Sequence, residues 1–198
     1  MAVTRGSFRQ VGVALRALGI FTVVLGIGYT FVITGFAQLV FPAQANGSLA
    51  KVDGTTVGSS LIGQSFATSK GVALPKWFQA RPSAASYNGG ASSGSNYGPN
   101  DPRLIAQIRS ELATIEKSDG VSAAQIPADA LTASGSGLDP DISPAYALIQ
   151  VDRIATARGL SVAAVKALVE SKIQGRELGY LGEPTVNVLE LNIALAKL

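Results

Sequence analysis

The chain is 198 residues long with 47% hydrophobic and only 15% charged residues, a length for one ordinary domain plus an extra segment and an apolar share that is high for a soluble protein. Its net charge of +3 belongs to the N-terminus: 16 basic residues less Arg5, Arg9 and Arg16 leave 13 from residue 42 onward, against 13 acidic ones, so the bulk of the chain offers no basic patch to nucleic acid. Cysteine and histidine are both absent, which excludes disulfide stapling, the usual zinc sites and the nucleophile arrangements built on imidazole.

The apolar excess is concentrated in Ala17–Phe41, "ALGIFTVVLGIGYTFVITGFAQLVF", which carries no charge. These residues, at 1.5 Å each, make a helix about 37 Å long, enough to cross a hydrocarbon core of about 30 Å with some tilt. The three arginines before it place the N-terminus on the cytoplasmic side. Residues 1–16 are therefore expected to be a cytoplasmic basic N-terminus, 17–41 a transmembrane helix and 42–198 an extracytoplasmic domain. Ala43 and Ala45 in "PAQAN" also fit the small-x-small pattern of a signal-peptidase site, but the apolar stretch exceeds the roughly 7–15 residues of a signal core, which favours a retained anchor. Within it Gly26, Gly28 and Gly35 are candidate positions for close helix packing in the membrane.

Beyond the span, "SSLIGQSF" and "KWFQARP" predict short strands or extended segments. "ARPSAASYNGGASSGSNYGPND" (80–101) has the composition of a flexible linker, while Tyr87, Tyr97, Pro99 and Pro102 would suit an ordered surface loop. Four helical patterns follow. "DPRLIAQIRSELATIEKSDG" has Asp101 as N-cap, Pro102 at the first position and Leu104, Ile108, Leu112 and Ile115 on one face. "SPAYALIQVDRIATARG" predicts a helix from Ser143 and Pro144 to a stop at Gly159, with Leu148, Val151 and Ile154 or Ala155 inward. "SVAAVKALVESKIQG" repeats the plan from Ser161 with Val162, Val165, Val169 and Ile173 inward, and "EPTVNVLELNIALAKL" could begin as a strand but spaces Val188, Leu191 and Leu195 like a helix. The expected fold class is α+β: a single N-terminal transmembrane helix, then a mainly helical domain with a small strand-rich part.

"TASGSGLDPDISP" (132–144) has the glycine content of a phosphate-binding loop, but Gly137 is followed by Leu138 and Asp139 where a Walker loop needs lysine. Gly135 and Gly137 are better explained as positions needing positive φ or close backbone packing, and Asp139 and Asp141 as turn and helix-entry carboxylates. No catalytic, metal-ligating or cofactor-binding set is expected.

The segments "IGQSF", "WFQARPSA", "YN", "SGSNYGPNDP", "TASGSGLDPDISPAYALIQVDRIATARGL" and "LGEPTVNVLELNIAL" together resemble the C subunit of the bacterial Kdp potassium-transporting ATPase over nearly the whole chain. The resemblance implies a non-catalytic accessory subunit in a bacterial cell (inner) membrane, assembled with a channel-like potassium-translocating subunit, a P-type ATP-hydrolysing subunit and a small single-span peptide. It marks Gln64, Arg81, Pro82, Tyr87, Asn88, Asn96, Ser134, Gly135, Ser136, Gly137 and Asp139 as candidate loop and interface residues. The chain departs from the family at Asp141, where histidine or a similar polar residue is common. The family is also described as a catalytic chaperone that binds ATP and raises the pump subunit's nucleotide affinity. That alternative conflicts with an extracytoplasmic domain, because ATP is cytoplasmic. An anchored small-ligand binding protein and an anchored hydrolase are further alternatives.

Overall fold

The computed structural model describes the backbone of residues 4–198 and the side chains from residue 8 onward, so the Arg5 side chain of the basic flank lies outside the described residues. The chain forms two compact units, residues 1–48 and 49–198.

The described part of the first unit is helical as far as Ala45: α1 (Thr4–Phe21), a π-helical segment (Thr22–Tyr29), α2 (Thr30–Val40) and, after a break at Phe41, the short α3 (Pro42–Ala45). Phe8–Val40 is long and apolar enough to cross a membrane, the one such helix among the described residues. The helix opens before the uncharged stretch does, because "VGVAL" on its N-terminal side is itself helix-compatible. Gly26 and Gly28 lie in the π segment and Gly35 in α2; an added Cβ at Gly35 would meet nothing within 4 Å. The hydroxyl of Thr30 donates to the Gly26 carbonyl at 2.9 Å, satisfying an acceptor where the wider π winding displaces the ordinary helical pairing.

The second unit opens with the antiparallel hairpin β1 (Leu49–Val52) and β2 (Thr55–Ser59). The regular strands thus precede "SSLIGQSF" and "KWFQARP", which run as turns and extended chain with an isolated bridge between Ala67 and Ala73. α4 (Pro102–Asp119) begins as expected: the Asp101 side chain accepts from the Arg103 N–H, Pro102 takes the first turn, and Gly120 closes the helix at φ +67°. Of its apolar face only Ile115 is fully buried. A 3₁₀ turn (Ala123–Gln125) and α5 (Ala128–Leu131) lead to β3 (Asp141–Ile142).

The predicted helix 143–159 is two helices, α6 (Pro144–Ile149) and α7 (Val151–Arg158), meeting at Gln150. The break rotates the buried face: Tyr146, Ala147, Val151, Ile154 and Ala155 are inward, whereas Leu148 is exposed. α8 (Val162–Ser171) is capped by Ser161 and buries Val165 and Val169. Val162 sits exposed in its first turn, and Ile173 has left the helix for β4 (Ile173–Gln174) and is also exposed. The last segment is both things its sequence allowed, a strand β5 (Thr185–Asn187) followed by α9 (Val188–Leu195) capped by the Asn187 side chain. β5 lies between β3 and β4 and is antiparallel to both. The small sheet and α6–α9 enclose a core of Phe78, Ile142, Ile154, Val165, Val169, Val186, Leu191 and Leu195. The architecture is α+β.

Candidate functional site

Two consecutive residues of an extended segment explain how a chain stretch with no strand partner enters this core. The Asn192 side chain, buried on α9, accepts from the Phe78 N–H at 2.9 Å and donates to the Phe78 carbonyl at 3.0 Å. On the next residue, Gln150 accepts from the Gln79 N–H at 2.7 Å and donates to the Gln79 carbonyl at 3.2 Å. Successive residues of an extended chain present their polar groups to opposite sides, so each amide replaces the strand that would otherwise satisfy one side, and Phe78 can be fully buried without orphaned backbone. Arg153 holds the same segment from α7, donating to the Pro75 and Trp77 carbonyls and pairing with the buried Asp119 of α4 at 2.7 Å.

From Gln79 the chain enters residues 80–101, whose linker-like composition hides a tightly bonded loop. Its contacts converge on 132–141. The Ser83 hydroxyl donates to the Gly137 carbonyl at 2.5 Å and accepts from the Tyr87 N–H at 2.9 Å. The Ser93 N–H and the Ser92 hydroxyl both donate to the Ser136 carbonyl at 2.9 Å. Tyr87, itself at φ +56°, donates its hydroxyl to the Arg81 carbonyl at 2.5 Å; burial, with Glu111 adding to it, pushes that phenol up to about 12. Arg81 then crosses to Asp139 at 2.9 Å, with a weaker bond to the Thr132 carbonyl.

The receiving loop is braced from within. Ser134 accepts from the Gly137 N–H, Ser136 from the Leu138 N–H and Asp139 from the Asp141 N–H. Gly137 stands at φ +66°, and a Cβ there would lie 2.5 Å from the Ser93 carbonyl oxygen and 2.8 Å from the Ala85 Cβ. Gly135 differs from the expectation: its φ is not positive and a Cβ would meet nothing. The close approach at that level is required of Gly94 instead, whose Cβ would lie 2.9 Å from the Gly135 carbonyl oxygen. Further support comes from Gly63, whose N–H donates to the Leu138 carbonyl at 2.8 Å, and from α9, where the Val188 N–H donates to the Pro140 carbonyl at 3.0 Å. Asp141 is half-buried with Oδ1 unpaired, as is the Nε of Arg81. Burial raises the Asp141 carboxyl above the usual range, the neighbouring Asp139 and Glu190 add to this, and a hydrogen bond from Asn187 opposes it.

Of the expected loop residues, Arg81, Pro82, Tyr87, Ser134, Gly135, Ser136, Gly137 and Asp139 therefore share one junction. Gln64 lies beside it, bonded weakly to the Val57 carbonyl. Asn88 and Asn96 serve their own turns, on Gly90 and Gly94, and Gly26, Gly28 and Gly35 belong to the other unit. The residues not anticipated were Gln79, Gln150, Arg153 and Asn192. Asn192 left a readable signal, a polar residue immediately beside the apolar spacing of Val188, Leu191 and Leu195 on α9. Among the described residues no cluster of three acidic side chains could hold a metal ion.

Fold and junction define a domain of all-protein loop contacts joined in sequence to a helix long and apolar enough to cross a membrane. The family described as "K+-transporting ATPase, c chain" matches residues 11–197, and the chain belongs to it. It is 49% identical over 185 residues to the potassium-transporting ATPase KdpC subunit of Methylococcus capsulatus, covering 92% of this chain and 94% of that one. The subunits of the same name from Caulobacter vibrioides and Gemmatimonas aurantiaca are 51% identical over 186 residues (92% and 90% covered) and 54% identical over 178 (88% and 86% covered).

Proposed function

We propose that this chain is a non-catalytic accessory subunit of an ATP-driven potassium uptake complex. It stabilises the assembly of the channel-like potassium-translocating subunit, the P-type ATP-hydrolysing subunit and the small single-span subunit, with its folded domain on the extracytoplasmic side. The observation that carries the reading is the junction at Gly137. The glycine-rich loop, the feature of this sequence most like a phosphate cradle, is filled by Ser83, Ala85, Ser92 and Ser93 of the chain itself. Three of its N–H groups are already donated to its own side chains, and Asp139 and Asp141 present negative charge where an anion would need donors. A brace that orders a loop surface suits a subunit whose work is contact with other chains.

The relatives are named as subunits of potassium-transporting ATPases, which supports placing this chain in such a complex. Co-purification in mild detergent from cells expressing the whole complex tests the role. Gly26→Ile, Gly28→Ile and Gly35→Ile, made singly, should include at least one variant that loses partner subunits while its own domain melts normally, since bulk on a packed helix face disrupts association in lipid. Complete assembly of all three, or full potassium uptake by cells lacking the chain, would refute it.

A further inference from the structure

Between α4 and the loop 65–97 lies a cleft of about 1430 Å³, lined in part by Ser83, Tyr87 and Gly94 of the junction and by Gln79 and Arg153. One face of α4 lines it with Gln107, Ser110, Glu111, Thr114 and Ser118, positions that recur at helical spacing, and the opposite wall includes Tyr87, Tyr97 and Tyr146. Two groups in it are unmatched. Glu111 is half-buried and has no ion pair or hydrogen bond among the described residues. Tyr146 is only 4% exposed, yet its hydroxyl has no partner among the described residues and is not sealed from the cleft. The other charges do not answer Glu111: Asp119 and Arg153 consume each other at 2.7 Å, and Lys117 is exposed.

From this geometry we infer that the cleft binds an organic cation, an ammonium or guanidinium group, with Glu111 as its counter-ion, the Tyr146 hydroxyl as a hydrogen-bond acceptor and the Tyr87 ring as part of its wall. A half-buried carboxylate with no partner of its own gains both an opposite charge and hydrogen-bond donors from a cation. The Tyr97 face already carries the Arg103 guanidinium at 4.5 Å, so the ring left to such a ligand is that of Tyr87 in the cleft lining, whose quadrupole attracts a cation within about 6 Å. Consistently, burial raises the Glu111 carboxyl above its ordinary range, which is the mark of a carboxyl without a compensating positive neighbour. Among the described residues the cleft's one cation without an ion pair is Lys117, at an exposed position of α4, and a polyphosphate would meet the Glu111 carboxylate. The volume exceeds the roughly 300–1,000 Å³ of ordinary small-molecule pockets, so the cation can arrive free or on the lysine or arginine of a partner segment. This inference goes beyond the assembly role and stands without it.

The test is calorimetric titration of the full-length chain in detergent with agmatine and with butylamine, against glutarate as the anionic control. Saturable one-to-one binding of the amines but not of glutarate is expected. Glu111→Gln should weaken it by about tenfold or more, since the charge partner is lost, and Tyr146→Phe by about threefold, the worth of one ordinary hydrogen bond. Neither substitution breaks a bond of the folded chain, so an unchanged melting temperature serves as the folding control. If the amines bind the isolated chain but not the assembled complex, the cation is a partner's side chain; if they bind both, it is free. Absence of saturable amine binding to the isolated chain, or equal affinity in Glu111→Gln, overturns the inference.

Discussion

Gly137→Ala is the sharpest perturbation of the junction. Alanine at φ +66° carries the left-handed penalty of about 1–2 kcal/mol. Its Cβ would also lie 2.5 Å from the Ser93 carbonyl oxygen, 2.8 Å from the Ala85 Cβ and 3.0 Å from the Ala85 nitrogen. Two of these are backbone atoms and none is a flexible side-chain end, so the 83–94 loop must move away. That motion lengthens the bonds from Ser83 to Gly137 and from Ser93 to Ser136, each worth about 1 kcal/mol. The sum is about 3–4 kcal/mol, which for the 150 residues from 49 to 198 corresponds to a fall in Tm of roughly 6–16 °C. The assay is thermal unfolding of the full chain in detergent followed by fluorescence of Trp77, the sole tryptophan, which stands against Phe66 and under Arg158. Gly135→Ala is the internal control: with ordinary φ and open space around its Cβ, it should shift Tm by no more than about 2–4 °C, the equivalent of 1 kcal/mol. Equal melting of Gly137→Ala and wild type, or equal damage from both substitutions, would refute the reasoning.

Asn192→Ala should cost about 2–4 kcal/mol, because it leaves both polar groups of the buried Phe78 backbone unpaired; chemical denaturation would measure it, and a loss below about 1 kcal/mol would mean water replaces the amide. Asp141 holds its proton more tightly in the folded than in the unfolded chain, so its contribution to stability falls as pH rises from the ordinary carboxylate range through its own raised value. Asp141→Asn should therefore raise Tm at neutral pH, with the gain vanishing in acid below the ordinary carboxylate range; a gain independent of pH would contradict that origin. Ser7→Cys and Ala163→Cys, in a chain without native cysteine, test the proposed orientation: an impermeant thiol reagent on intact cells should label position 163 and spare position 7, and the reverse pattern would invert the topology.

What the sequence alone determined is what depends on neighbours within a few residues or on bulk composition. The apolar length of the span follows from the count of uncharged residues. The starts of α4, α6 and α8 follow from Asp101, Ser143 and Ser161, whose side chains reach N–H groups only two or three residues on. The stop at Gly159 follows from the left-handed φ that glycine adopts without strain. Val165, Val169, Val188, Leu191 and Leu195 announced their burial by spacing, and the resemblance announced the family because its motifs are contiguous. Tertiary structure decided what requires partners distant in the chain. Residues 80–101 have a linker's composition and are ordered because serines there meet the Ser136 and Gly137 carbonyls some 44 and 54 positions away. Phe78 is a core residue because Asn192, 114 positions on, satisfies its backbone. α6 and α7 divide at Gln150, where the side-chain amide turns to Gln79; an unbroken apolar rhythm had no way to show this, so Leu148 was expected inside and lies at the surface. Glycines behave the same way: Gly135 and Gly137 are alike as letters, and only the approach of Ser93 and Ala85 makes one of them irreplaceable.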